Sequence, residues 1–196
     1  MTQVELPKAI AAFSGHGYLL APAGYGKTHL IAESILHAEG RQLILTHTHA
    51  GVHALRAKLR ALKVSTARFH VDTIASWSLR LCLAYGSTSG WLSKHPESKQ
   101  WNKLYLACRE LLDSQFIRRI IRSSYAGMYV DEYQDCSVDQ HAIVNKLAQD
   151  LPCRVLGDPM QGIFDFGQPL VDWENGVESR LEPIGTLDTP HRWIRA

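Results

Sequence analysis

The sequence has little cysteine and no long apolar run, and each shortage narrows the field. The four cysteines, Cys82, Cys108, Cys136 and Cys153, are widely spaced in 196 residues and form no C-x-x-C pair. They read as buried thiols in a reducing compartment, which argues against a disulfide frame or a zinc site and makes cytoplasm the default expectation. No apolar stretch approaches the roughly 20 residues that span a bilayer, so no membrane partner is expected. The first residues lack the basic and apolar blocks of a signal peptide. No fixed period appears, which excludes a repeat array. What is present, 45% hydrophobic and 20% charged residues, suits one compact domain with a real core.

Charge of one sign is also scarce overall, at net +2, but it is unevenly spread. Residues 53–122 hold 13 basic and 4 acidic side chains, a net of +9, whereas residues 123–196 hold 5 and 12, a net of −7. A basic middle beside an acidic end implies a surface that faces a polyanion; the alternative is a solvated helical face.

Four short apolar runs read as buried strands: residues 18–20, 43–45, 128–130 and 154–156. Helical spacing of apolar residues predicts helices over 27–38 and 50–63, where Val52, Leu55, Leu59 and Leu62 form one stripe. The same spacing predicts helices around Trp101 to Leu112 and after the capping box Ser137-Val-Asp-Gln140. Strands alternating with helices mean an α/β chain with a parallel sheet covered on both faces. Residues 82–124 break the alternation, being helical and basic, and read as an insertion. The abrupt end at residues 191–196 reads as a cut from a longer protein.

Three segments carry chemistry. Residues 21–28, Ala-Pro-Ala-Gly-Tyr-Gly-Lys-Thr, follow a strand and open a helix, the context of a phosphate-binding P-loop (Walker A). Gly24 and Gly26 let backbone N–H groups turn toward phosphate oxygens, Lys27 can reach the β- and γ-phosphates, and the Thr28 hydroxyl can bind Mg²⁺. Ala21 stands where the strict pattern has its first glycine. The cofactor-binding set is Ala23, Gly24, Tyr25, Gly26, Lys27, Thr28 and His29. Next, the strand at 128–130 ends in Asp131-Glu132-Tyr133-Gln134-Asp135. Asp131 would share Mg²⁺ with Thr28, and Glu132 would orient and deprotonate the attacking water. Third, the strand at 154–156 ends in Gly157-Asp-Pro-Met-Gln161, where Gln161 could report a γ-phosphate.

In this order the motifs resemble those of the UvrD/Rep-type superfamily 1 DNA helicases. Residues 21–28 resemble motif I, 45–50 motif Ia, 71–77 motif Ib, 131–135 motif II, 157–164 motif III and 187–192 the start of motif IV. The resemblance implies a P-loop NTPase of RecA-like fold using ATP and Mg²⁺. The ATPase domain would occupy 1–81 (motifs I, Ia and Ib) and 125–196 (motifs II, III and the start of IV), flanking the 82–124 insertion. The second RecA-like domain is absent from this stretch and would belong to the same longer chain. By the same resemblance Glu132, Gln161 and Arg192 are catalytic, with Arg192 approaching the γ-phosphate. His47, Thr48 and Thr73 would meet single-stranded DNA, and Phe164 and Phe166 would stack on bases. The plain alternatives are ordinary core packing for the two phenylalanines and polar loop residues for His47 and His49. No early glutamine besides Gln3 is available to read adenine, and His191 stands where relatives often have tyrosine. The implied function is the ATP-driven motor domain of a helicase or translocase. The rivals are a nucleic-acid-triggered ATPase switch in repair or phage defence, and a nucleotide-binding module that recruits a partner.

Overall fold

The structure is a computed structural model and describes residues 5–22, 24–161 and 169–187. In chain order the elements are α1 (Leu6–Ala12), β1 (His16–Leu20), α2 (Lys27–His37), β2 (Gln42–Thr46), α3 (His49–Ala61) and β3 (Phe69–Thr73). They continue with α4 (Ile74–Ala84), the single turn α5 (Gly86–Ser89), α6 (Trp101–Leu111), α7 (Gln115–Ser124), β4 (Gly127–Val130), α8 (Val138–Ala148), β5 (Cys153–Gly157) and β6 (Glu182–Thr186). A π-helical turn, Trp173–Glu178, precedes β6.

The strands form one sheet in the order β3-β2-β4-β5-β1-β6. All five pairings are parallel. The central strands β2, β4 and β5 are buried along their whole length, as expected when helices cover both faces. Their alternate side chains enter two separate cores. Leu43, Leu45, Met128, Val130, Cys153 and Val155 join α4, α6, α7 and α8 on one face. Ile44, Tyr129 and Leu156 join α1, α2 and α3 on the other. The helices of 82–124 are therefore packed into the first core, with Leu104 and Cys108 fully buried, and α4 itself runs across Cys82.

The four strands expected from apolar runs are present, and the capping box at Ser137 and Gln140 closes at the N-terminus of α8. The pattern did not predict β3 and β6. These are the two edge strands, Phe-His-Val-Asp-Thr and Glu-Pro-Ile-Gly-Thr, and each is covered on fewer sides. Edge strands tolerate polar residues and proline, so they lack the continuous apolar signature. One buried cation ties the second core together. Arg154 on β5 donates to the carbonyls of Ile10, Ala11 and Phe13 at the end of α1, and its guanidinium lies 5.1 Å from the Tyr129 ring centroid.

Candidate active site

In a parallel sheet every strand ends at the same edge, and here the registers align those ends. Leu20 pairs with Gly157, Val130 with Val155 and Thr46 with Thr73. The loops after β1, β4 and β5 therefore open side by side at the carboxyl edge, the place where ligands bind in such sheets. The loops after β2 and β3 open farther along it.

The loop after β1 turns through Gly24 (φ 80°) and Gly26 (φ 91°), a left-handed region that a side chain rarely adopts. Gly26 is the N-cap of α2, and no side chain caps that helix. Its first N–H groups thus face the turn with the positive end of the helix dipole. Lys27, 5% exposed, is held between the Ala21 carbonyl at 3.1 Å and the Glu132 carboxylate at 3.2 Å. Thr28 donates its hydroxyl to Asp131 Oδ2 at 3.2 Å. Tyr25 packs at the margin of the second core, and His29 pairs with Glu33 one turn on at 3.1 Å.

Asp131 is 2% exposed, and its other oxygen accepts the Glu132 N–H at 3.0 Å. Burial and the neighbouring Glu132 charge push its carboxyl up to about 7, against the opposing pull of Lys27, the Glu132 N–H and Thr28. Glu132 adopts φ 53°, ψ 47°, a left-handed conformation costing a non-glycine residue on the order of 1–3 kcal/mol that surrounding contacts must hold. Those contacts are Lys27 and Gln134, whose Nε2 donates to Glu132 Oε2 at 2.9 Å.

Gln134 is the residue that sequence reasoning quoted but gave no role. Its amide oxygen accepts the Asp158 N–H at 3.0 Å, so one buried side chain links the loop after β4 to the loop after β5. The link passes close to Gly157: a Cβ there would sit 2.7 Å from the Trp173 ring and 2.8 Å from the Gln134 amide oxygen. The available signal was the pair of polar residues at the ends of two strands. Their adjacency needed the strand order. Beyond it, Asp158 accepts from the Gln161 side chain and, at 3.1 Å, from the Met160 N–H.

The loops after β2 and β3 are built differently. Thr48 and Thr73 are N-caps, accepting from Gly51 N and Ser76 N, each at 3.0 Å. A cap of this kind stabilises its helix by about 1 kcal/mol. Thr48 is exposed, whereas Thr73 is buried. His47 Nε2 lies 3.3 Å from Cys136 Sγ, and burial drives its imidazole down to about 4 despite the nearby Glu132 charge. All four cysteines are free and buried. Of the expected basic surface, Arg118 and Arg122 pair with Asp150 at 2.8 and 2.7 Å, and Arg80 pairs with Asp72. Ala23, Phe164, Phe166 and Arg192 lie outside the described residues.

The structure thus brings Lys27, Thr28, Asp131, Glu132 and, through Gln134, the Asp158–Gln161 turn into one connected set. Its donor chemistry fits a small hard cation. A hydroxyl and a buried carboxylate are both oxygen ligands, and Mg²⁺ uses few protein ligands because it keeps several waters. Burial, and then the Glu132 charge beside it, hold the Asp131 carboxyl high, and a bound cation would draw it down.

Among known proteins, the model of the UvrD/REP helicase N-terminal domain matches residues 93–171. The RecBCD enzyme subunit RecB of Haemophilus influenzae is 34% identical over 79 residues, 37% of this chain and 6% of RecB. Arterivirus nonstructural protein 10, a helicase solved in complex with DNA, superposes with a TM-score of 0.53 at 14% identity, over 94% of this chain and 38% of that one. Its structure solved separately gives 0.50, again at 14% identity, over 96% and 38%. The chain therefore spans well under half the length of these relatives. The structural likeness shows the fold, a RecA-like α/β sheet, and among the described residues no helix is long and apolar enough to cross a membrane. Added to that fold, residues 93–171 are similar to the UvrD/REP helicase N-terminal domain, and a stretch of the chain is similar to part of RecB.

Proposed function

We propose that this chain is the ATP-binding and ATP-hydrolysing RecA-like domain of a superfamily 1 DNA helicase or translocase that acts on single-stranded DNA. A second RecA-like domain of the same longer protein would complete the cleft around the nucleotide. The observation that carries the reading is the contact set at the ends of β1 and β4: Lys27 against Glu132 and Thr28 against Asp131. The domain limits of 1–81, 82–124 and 125–196 belong to the same proposal.

The chemistry follows from these contacts. Triphosphate oxygens would draw the Lys27 ammonium away from Glu132, while the N–H groups at the start of α2 take up the remaining charge. Thr28 and Asp131 would hold Mg²⁺, which when bound withdraws charge from the phosphate oxygens. Released from Lys27 and kept in place by Gln134, the Glu132 carboxylate would accept a proton from water. The water oxygen forms its bond to the γ-phosphorus as the bridging bond to ADP breaks, leaving ADP and phosphate. Gln161, bonded to Asp158 and through it to Gln134, would couple that event to the strand-binding loops at His47, Thr48 and Thr73. Phe164 and Phe166 would stack on bases, and Arg192 would meet the γ-phosphate.

Isothermal titration with a non-hydrolysable ATP analogue and Mg²⁺ tests the core of this reading. Lys27→Ala should weaken binding by at least tenfold, about 1.4 kcal/mol or more. Glu132→Gln should retain binding and abolish the DNA-stimulated hydrolysis expected of the protein carrying both domains. Equal affinity of the native chain and Lys27→Ala would overturn the assignment.

A further inference from the structure

Away from the carboxyl edge, a cavity of about 290 Å³ opens where α3 crosses the edge strand β3. Three guanidinium side chains, Arg41, Arg56 and Arg60, line it around an apolar floor of Val64, Phe69 and Val71. No carboxylate is among its lining residues, and none of the ion pairs among the described residues involves these arginines. That separates them from Arg80, Arg118 and Arg122, whose charge is met within the chain. Phe69 to Val71 lie two to four residues before Thr73, about 7–13 Å back along the strand, so this is not the strand-end loop already described.

The pocket is built rather than incidental. Arg56 Nη2 donates to the Val71 carbonyl at 2.8 Å. Arg41 lies 5.8 Å from the Tyr125 ring centroid, and the Tyr125 hydroxyl is 2.6 Å from His70 Nδ1. His70, beside the cavity floor, is driven down to about 4 by burial and then by Arg80, Arg41 and Arg56. Three cations are thus concentrated where the neighbouring imidazole stays neutral.

We propose that this pocket binds a phosphate of a nucleic-acid strand, with Arg41, Arg56 and Arg60 on the phosphate oxygens and a sugar or base against Phe69 and Val71. Guanidinium forks suit phosphate oxygens bidentately, and an aromatic floor suits a base of any sequence. Exposed Arg56 and Arg60 are one turn apart on α3, and exposed Lys63 follows just past its end, an arrangement that suits a polymer better than a free nucleotide. An acidic peptide adding to the open edge of β3 would need the Val71 carbonyl that Arg56 occupies. The inference rests on the single-strand reading above and extends it to a second contact point on the flank of the sheet.

The test is fluorescence anisotropy of the whole chain with 3′-fluorescein octathymidylate at several salt concentrations. Arg41→Ala/Arg60→Ala should lower affinity at least fivefold. It should also make the log–log salt dependence shallower by about 0.7, the value for one lost single-strand phosphate contact. If the double variant is misfolded by circular dichroism, Arg60→Glu alone, at an exposed side chain with no hydrogen bond among the described residues, should give a loss in the same direction. Unchanged affinity and slope in these variants, with a loss in His47→Ala/Thr48→Ala, would overturn the pocket and leave the single-strand reading standing. No binding by the native chain would overturn both. Equal binding of thymidine monophosphate, or equal competition by octaglutamate, would overturn the strand in favour of a free nucleotide or an acidic peptide.

Discussion

The two ends of the sheet carry charge in opposite ways. At β4, β5 and β1 the charged groups are buried or half-buried and satisfy one another: Lys27 with Glu132, Thr28 with Asp131, Gln134 with both Glu132 and the Asp158 N–H. At β2 and β3, apart from Arg80, which pairs with Asp72, the cations either bond backbone carbonyls, as exposed Arg56 and half-buried Arg68 do, or, like exposed Arg41 and Arg60, form no ion pair among the described residues. In the first region the low dielectric makes every pairing strong and every loss costly. In the second, water screens each charge, and only a polyanion that meets several at once gains much from them. A compact, multiply charged ligand therefore suits the first region and an extended one the second.

Breaking the contrast at its tightest point should give the largest effect. Gln134→Ala removes the amide that satisfies Glu132 and the Asp158 N–H together. Leaving buried polar groups unpaired costs about 1–3 kcal/mol, so the melting temperature should fall by several degrees, an amount typical of such a loss in a domain of this size. In a protein with both RecA-like domains, DNA-stimulated hydrolysis should fall more than nucleotide affinity does, because Glu132 loses its positioning partner while Lys27 and Thr28 remain. Unchanged melting and turnover would mean that the two loops act independently.

The contrast also explains what the sequence made legible. The P-loop could be read because its chemistry is local: Gly24, Gly26, Lys27 and Thr28 lie within five residues, and the turn and helix start impose their arrangement. Asp131 and Glu132 could be read for the same reason, from an apolar run that stops at two acids. The Gln134 bridge could not, because β4 and β5 are separated by α8 and become neighbours only through the strand order. The pocket on β3 was hidden for another reason. Arg41, Arg56 and Arg60 come from three separate parts of the chain's pattern: the start of β2 and two turns of α3. They meet over a strand whose polar composition gave no period. The +9 balance of residues 53–122 pointed to the region, but Arg80, Arg118 and Arg122 contribute to that count while being neutralised internally.

A smaller effect separates the two regions by pH. Asp131, raised to about 7 from 3.8, holds a proton in the folded chain that the unfolded chain has already released. Its contribution to stability therefore declines as pH rises from about 4 to about 7, and ionised Asp131 is the form that would hold Mg²⁺. Affinity for a Mg²⁺-bound ATP analogue should rise with pH, approaching tenfold per unit below pH 7 as one proton is released on binding. Asp131→Asn should bind weakly at all pH values and lose that dependence. A native profile that is flat from pH 6 to 8 would show that Asp131 is ionised without a metal and that Lys27 outweighs its burial.

The smallest effect lies at the other end of the sheet and has the opposite sign. His70 is lowered to about 4, first by burial and then by the three arginines around it, so the folded chain holds its proton less readily than the unfolded chain does. Between about 6.5 and 4 the unfolded state binds more protons, and stability is lost as pH falls through that window. His47, also lowered to about 4, adds to the same slope. His70→Gln keeps a polar side chain near Tyr125 and removes one of these titrations, leaving those of His47 and of His141, which burial and Arg180 also lower. Urea unfolding at pH 7 and pH 5 should therefore show a smaller loss of stability on acidification in His70→Gln than in the native chain. The difference should be well below that of Gln134→Ala, because His70 is only partly buried and water screens its neighbours. An equal loss in both proteins would place the acid sensitivity on His47 and His141 and not on the arginine-rich flank at β3, and would remove the electrostatic distinction between the two regions.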